Sequence, residues 1–366
     1  PGERVTAETP PGATVRIDPA ILDISAIDIA AEGEDLVLRL PDGGAIAVRR
    51  IVGTGAVTVV GLDLTAGELS VQALDADSSE EAGASSITAK TFSASGGTGA
   101  AGGAVTTLEN DGSVVVELAL AALDVAGDAT LVSGTNAEIT AKSTGLNGGF
   151  VALGANLSDV ESDAEAALSM TLAGSGAVGG SLTALALGAE DVDIETHSGM
   201  GSIYSVHGAQ SLLDIDGSVT LELDGGAGLS VGGTLAAATY RGVDFANTAD
   251  SIEVSLADFG GTKIANTVDA DSALTLAGSV EADAYEAEIV TEIAKSDDGY
   301  SGQIGSAGLA DGTSLSSDTD VDVTAVLTVA DGARLTEIGS DGVSDYDTRL
   351  AITGAYDLAD SVKIDT

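Results

Sequence analysis

Almost nothing in this sequence is large. Trp is absent, and the 366 residues include only four Phe and six Tyr, yet 44% of the chain is apolar. Ala, Val, Leu and Gly must therefore build whatever core exists. Such side chains each bury little area, at roughly 25 cal/mol per Å². They suit thin, closely spaced β layers better than a thick globule, with stability accumulating along a long ladder. The expectation is a mainly β chain: an elongated β-solenoid or stacked β-sandwich-like repeats, with at most one or two short helices.

Charge narrows the partners. Fifty-eight acids against 13 bases give a net charge of −45, which repels nucleic acid and anionic membrane surfaces. The acidity reads as solvation in a salty medium or as binding of hard cations such as Ca2+. Disorder fits less well, because the segments are β-patterned rather than apolar-poor. There is no Cys, hence no disulfide or thiolate chemistry, and no apolar run of transmembrane length. The chain opens at Pro1 without Met, as it would if a leader had been removed.

Three stretches differ in texture. Residues 1–53 hold all five prolines and Arg4, Arg16, Arg39, Arg49 and Arg50. Pro1–Pro11 reads as an extended arm, able to add a strand to another subunit, and Thr14–Ile17 as a strand entry. Leu36–Leu40 and Ala45–Val48 read as a hairpin closed by Pro41-Asp42-Gly43-Gly44, in which Pro presets φ and Gly supplies positive φ. Residues 54–110 form a first β segment that includes a Gly/Ser-rich loop over 93–104. Residues 111–366 read as about five degenerate β repeats of roughly fifty residues.

The repeats rest on one recurring phrase: Val114–Leu118, Leu168–Leu172, Val219–Leu223, Ala273–Leu276 and Val321–Thr324. With Leu118, Leu172, Leu221 and Leu276 as markers, the spacings are 54, 49 and 55. Within the repeats, Val280, Ala284, Ala287, Val290 and Ile293 have helical spacing, so Val280–Lys295 is the expected helix. One unit alone exposes a strand edge and an apolar face, and the next unit buries both.

No catalytic constellation emerges. His197 and His207 would need a third ligand, for which Asp191, Asp193 or Glu195 could serve. Read alone, they are two exposed or loop histidines. No nucleophile elbow or phosphate loop is present. Paired acids are plentiful, but a β-helix polysaccharide-active enzyme needs bases beside its acids, and this chain has few. Calcium is the more credible ligand. The residues that could supply it are Asp214 and Asp216, Asp297 and Asp298, Asp318, Asp320 and Asp322, and Asp341, Asp345 and Asp347. Asp residues two apart beside a Gly turn can bend several oxygens onto one ion. The same clusters read equally as solvated turns.

The phrase Ala31–Gly44 resembles the N-terminal module of very large bacterial surface adhesins. Leu327–Ala333 and Ile352–Ser361 resemble repeats of secreted alphaproteobacterial proteins. The resemblance covers about a quarter of the chain and implies secretion, anchoring at the outer membrane, adhesion or biofilm-matrix work. Gly225-Gly226-Ala227-Gly228-Leu229-Ser230 departs from the calcium-binding nonapeptide of that family, since Ser230 stands where the liganding Asp belongs. The expected function is a secreted, non-catalytic structural or adhesive protein of the bacterial cell surface that assembles with itself as filament, surface layer or biofilm matrix. The alternative is a calcium-dependent module for a cell-surface glycan, ice or another surface.

Overall fold

The computed structural model describes residues 4–8, 28–32, 35–39, 45–49, 54–66, 68–77, 83–307, 310–330, 332–337 and 349–357. The fold is mainly β, as expected, and no helix occurs among the described residues. No helix there is long and apolar enough to cross a membrane.

A small sheet contains β1 (Arg4–Glu8), β2 (Asp28–Glu32), β3 (Asp35–Arg39) and β4 (Ala45–Arg49), in the order β1-β4-β3-β2. Strands β3 and β4 pair antiparallel, with Arg39 opposite Ala45. The turn between them lies outside the described residues, as do Thr14–Ile17. Arg4–Glu8 pair parallel with Ala45–Arg49 of the same chain. These five residues are thus already engaged in cis, contrary to a free donor arm.

The other strands form one large sheet: β5 (Thr54–Ala66), β6 (Leu69–Asp77), β7 (Gly83–Asn110), β8 (Ser113–Val125), β9 (Ala129–Ser162), β10 (Glu165–Leu172), β11 (Ser175–Val178), β12 (Leu182–Asp224), β13 (Gly228–Val254), β14 (Ala257–Ala277), β15 (Ser279–Ala307), β16 (Ala310–Val329), β17 (Arg334–Glu337) and β18 (Arg349–Asp357). Pairing is parallel apart from Ala76–Asp77 against Gly83–Ala84. Its register is nearly constant. Leu118, Met170, Leu223, Leu276 and Val329 are successive partners, 52, 53, 53 and 53 residues apart. Each residue thus has a column of equivalents on neighbouring strands, about 4.8 Å apart.

Inward positions alternate with outward ones, and side-chain hydrogen bonds cross the interior between strand segments that are not register partners. The hydroxyl of Ser133 donates to the Val114 carbonyl at 2.8 Å, Thr196 donates to Ser158 at 2.8 Å, and the Asn247 amide donates to Asn266 at 2.5 Å. Between the layers lie two apolar clusters. One surrounds Leu118, Leu131, Met170, Leu182 and Leu223, and the other Ile139, Ile194, Leu213, Ile215 and Phe245. Beyond the second cluster the interior turns polar, with Ser143, Asn156, Ser158, Thr196, Ser211 and Ser251 all buried.

Glycines let the chain bend and approach itself. Gly226, at the turn between β12 and β13, has φ +55°, and a Cβ there would lie 2.0 Å from the Leu172 carbonyl oxygen. The expected flexible loop over 93–104 lies instead inside β7, with Ser95–Gly97 paired to Asn147–Gly149 of β9. A Cβ on Gly103 would meet the Ala155 oxygen at 2.2 Å. Glycine here permits close backbone approach rather than freedom. The expected helix is also a strand: Tyr285, Ala287, Ile289, Thr291 and Ile293 are buried, while Glu286 and Glu292 are exposed. This strict alternation overrides the coincidental helical spacing.

Candidate functional site

Where β13 ends and β14 begins, the chain bends from one layer to the other between Val254 and Ala257. Period-two alternation points Glu253 inward just before the bend and Asp258 inward just after it. His207 also points inward, from β12, where its register partner on β14 is Gly260. A Cβ on Gly260 would lie 2.2 Å from the imidazole Cε1, so only glycine leaves room for this ring.

The three side chains converge. His207 Nδ1 is 2.5 Å from Glu253 Oε2 and 3.1 Å from Asp258 Oδ1, and all three groups are at most 1% exposed. Ser205 Oγ lies 3.5 Å from the same Asp258 oxygen. Potential ligand atoms of the three residues all lie within 4.8 Å of one another, and they form the one such group found among the described residues. His207 Nε2 and Asp258 Oδ2 have no hydrogen-bond partner. A buried imidazole with two carboxylates can share a proton or ligate a cation.

The other histidine sits in a different setting. His197 points outward from β12, 3.3 Å from Asp250 Oδ2 and 3.6 Å from Glu195 Oε2. Lys142 closes the cluster, 2.5 Å from Glu195 and 3.4 Å from Asp193. The Asp250 hydrogen bond, opposed by burial and helped by both carboxylate charges, raises the His197 pKa above 6.5. Burial pushes Glu195 upward, but Lys142 and His197 together outweigh it and hold that carboxyl below its usual 4.5. Lys142 is raised, chiefly by its hydrogen bond to Glu195. Of the third ligands expected from sequence, Glu195 does lie beside His197, and Asp193 belongs to the same cluster. Asp191 instead stacks between Glu138 and Asp244. Burial first, then those two acids and Asp193, raises its pKa. The two histidines do not share a site.

The predicted calcium ligands among the described residues lie on strands rather than in turns. Asp214 and Asp216 are exposed on β12, and Asp318, Asp320 and Asp322 are exposed on β16. In-register pairing lines them up with other acids. One column carries Glu109, Glu161, Asp214, Thr267 and Asp320, and Asp216, Asp269 and Asp322 continue a second beside it. Repulsion is evident: Asp163, then burial, then Glu109 and Asp214 raise Glu161. Asp163 is raised by burial and then by Asp216, Asp111 and Asp214. Burial, Asp216 and Asp322 raise Asp269. Asp297 and Asp298 fall in β15, where the register slips opposite Phe245–Asn247. Asp341, Asp345 and Asp347 lie outside the described residues.

The bend also carries a surface that sequence reading missed. Leu146, Phe150, Val151, Leu153, Tyr204, Val206, Ile252, Val254, Leu256 and Phe259 are all exposed around it. Phe150 and Tyr204 meet edge to face at 6.1 Å. The signal was present in the register: Leu153, Val206 and Phe259 occupy one column, and Leu146, Gly199 and Ile252 another.

No protein-family model, curated protein or solved structure matches the chain.

Proposed function

We propose that this chain is a secreted, non-catalytic structural or adhesive protein of the bacterial cell surface, a β-solenoid that assembles with copies of itself. The observation that carries the reading is the column register. Because Leu118, Met170, Leu223, Leu276 and Val329 stack as successive partners, each turn is propped by the next, which is how a load-resisting rod is built. The apolar strip around the bend supports self-association. Its exposed residues recur from turn to turn along one edge, and a contiguous apolar patch of that kind marks an interaction surface. With the chain so acidic elsewhere, this edge is where copies approach with least repulsion. Secretion and the cell surface rest on the resemblance of Ala31–Gly44 to adhesin modules.

The test combines sedimentation velocity with negative-stain microscopy on wild type and on an Ile252→Asp/Phe259→Asp double variant. The proposal expects filaments, sheets or smaller oligomers for wild type and monomers for the variant. A wild type that stays monomeric as concentration and salt are raised contradicts it.

The acidic columns favour a second reading, a calcium-dependent binding module. Neighbouring strands are about 4.8 Å apart, and two oxygens held at about 2.4 Å from one Ca2+ can be that far apart. An ion could therefore sit between Asp216 and Asp269, or between Asp269 and Asp322. A glycan array read with and without calcium separates this reading from self-assembly. A blank array at saturating calcium removes the glycan.

A further inference from the structure

We propose that His207, Glu253 and Asp258 bind one divalent transition-metal ion of the zinc class, which pins the bend between β13 and β14 to β12.

The donor set selects the ion. One imidazole nitrogen and two carboxylates suit zinc and its neighbours. Calcium prefers six to eight oxygens. The geometry is near what coordination requires. Ligand atoms within 4.8 Å of one another surround a common point at distances that small side-chain adjustments bring to about 2.0–2.2 Å. The close approach of His207 Nδ1 to Glu253 Oε2 would open slightly as the ion enters.

Charge and hydrogen bonding argue the same way. Without an ion, the Nδ1 proton faces two carboxylates, Glu253 and Asp258, and one N–H cannot serve both fully. Two carboxyl groups buried against one imidazole are an expensive arrangement. A divalent cation can accept from all three side chains at once. Asp258 Oδ2, buried and without a hydrogen-bond partner, is a free oxygen for that ion. Gly260 is the accommodation in the backbone, since any side chain there would displace the ring. Glu253 and Asp258 flank the bend while His207 belongs to the preceding turn, so one ion closes the corner and couples two turns.

The full-length chain is stripped with a chelator, dialysed, and titrated with Zn2+ by calorimetry and with Co2+ by visible absorption. The expected result is one ion per chain, Co2+ bands of a low-coordinate nitrogen/oxygen site, and a thermal midpoint that rises on adding Zn2+. Asp258→Asn and Glu253→Gln, which keep side-chain shape, should each weaken binding by about 100-fold and abolish the rise in midpoint. His197→Asn should leave both unchanged. The proposal is overturned if the stripped chain takes up no stoichiometric Zn2+. It is equally overturned if His197→Asn removes binding while Asp258→Asn does not, because the ion then sits in the exposed cluster. Should His207→Gln fail to fold, the two carboxylate variants decide the matter alone.

Discussion

The Arg241 guanidinium donates to Glu190 Oε2 at 2.6 Å, with both side chains fully buried between the two apolar clusters. Ser162 donates to the other carboxylate oxygen at 2.5 Å. The slot exists because neighbours are small: a Cβ on Gly217 would lie 2.0 Å from Arg241 Nη2, and one on Gly188 would lie 3.3 Å from Nη1. Removing one partner strands a buried charge, at a cost of about 3–5 kcal/mol. Glu190→Ala should therefore be severely destabilising in urea or guanidinium titrations. The double variant Glu190→Leu/Arg241→Met should recover much of that loss. Additive losses would mean that the pair is not coupled.

The turn at Gly226 gives a sharper contrast. Its φ of +55° and its contact with the Leu172 carbonyl make Gly226→Ala cost upwards of ~1 kcal/mol. Gly228, two residues on, has nothing within 4 Å of its would-be Cβ. Gly228→Ala should be close to neutral in the same denaturation experiment.

Stability should fall as pH rises past the ordinary carboxylate values. Glu161, Asp163, Asp191 and Asp269 have folded pKa values above their ordinary 4.5 or 3.8. The native state therefore holds more protons than the unfolded state between the two values. Its advantage is complete below the unfolded pKa and is lost as pH rises through the folded one. His197, raised above 6.5, has the same sign at higher pH. Glu195 is lowered, so its contribution runs the other way and disappears only in acid. A thermal midpoint measured upward from about pH 4 should decline as these carboxyls ionise, less steeply in added salt and less steeply in Asp269→Asn. A midpoint that climbs over this range contradicts the repulsive columns.

How much of this was legible in the sequence depends on which side chain is considered. The β character was legible, because Ala, Val, Leu and Thr alternate with few aromatics among them. The repeat was legible as an echo but not in its register. The phrase aligns Leu172 with Leu118, whereas Met170 is its partner, and Leu221 pairs with Leu168 and Leu274 rather than with Leu276. With Leu at every second position, a slip of two residues keeps every inward side chain inward, so hydrophobicity alone cannot detect it. The last phrase slipped further, since Val326–Val329, not Val321–Thr324, pairs with Ala273–Leu276. Glu253 and Asp258 stand far from His207 in sequence and meet it only through that register. They were therefore invisible as ligands, and the nearer Asp191, Asp193 and Glu195 took their place. The 93–104 stretch misled for a different reason: glycine that permits close backbone approach has the same composition as glycine that permits motion.

Lengthwise stacking underlies every functional reading, and distances within one column test it most directly. The chain has no Cys, so spin labels can be placed at will on Glu117, Glu222 and Thr328, which share one outward column through Ser169 and Thr275. At about 4.8 Å per strand, electron paramagnetic resonance should give about 10 Å for 117–222, about 10 Å for 222–328 and about 19 Å for 117–328. Three distances that fail to add along a line, or a broad distribution at any pair, would contradict the account.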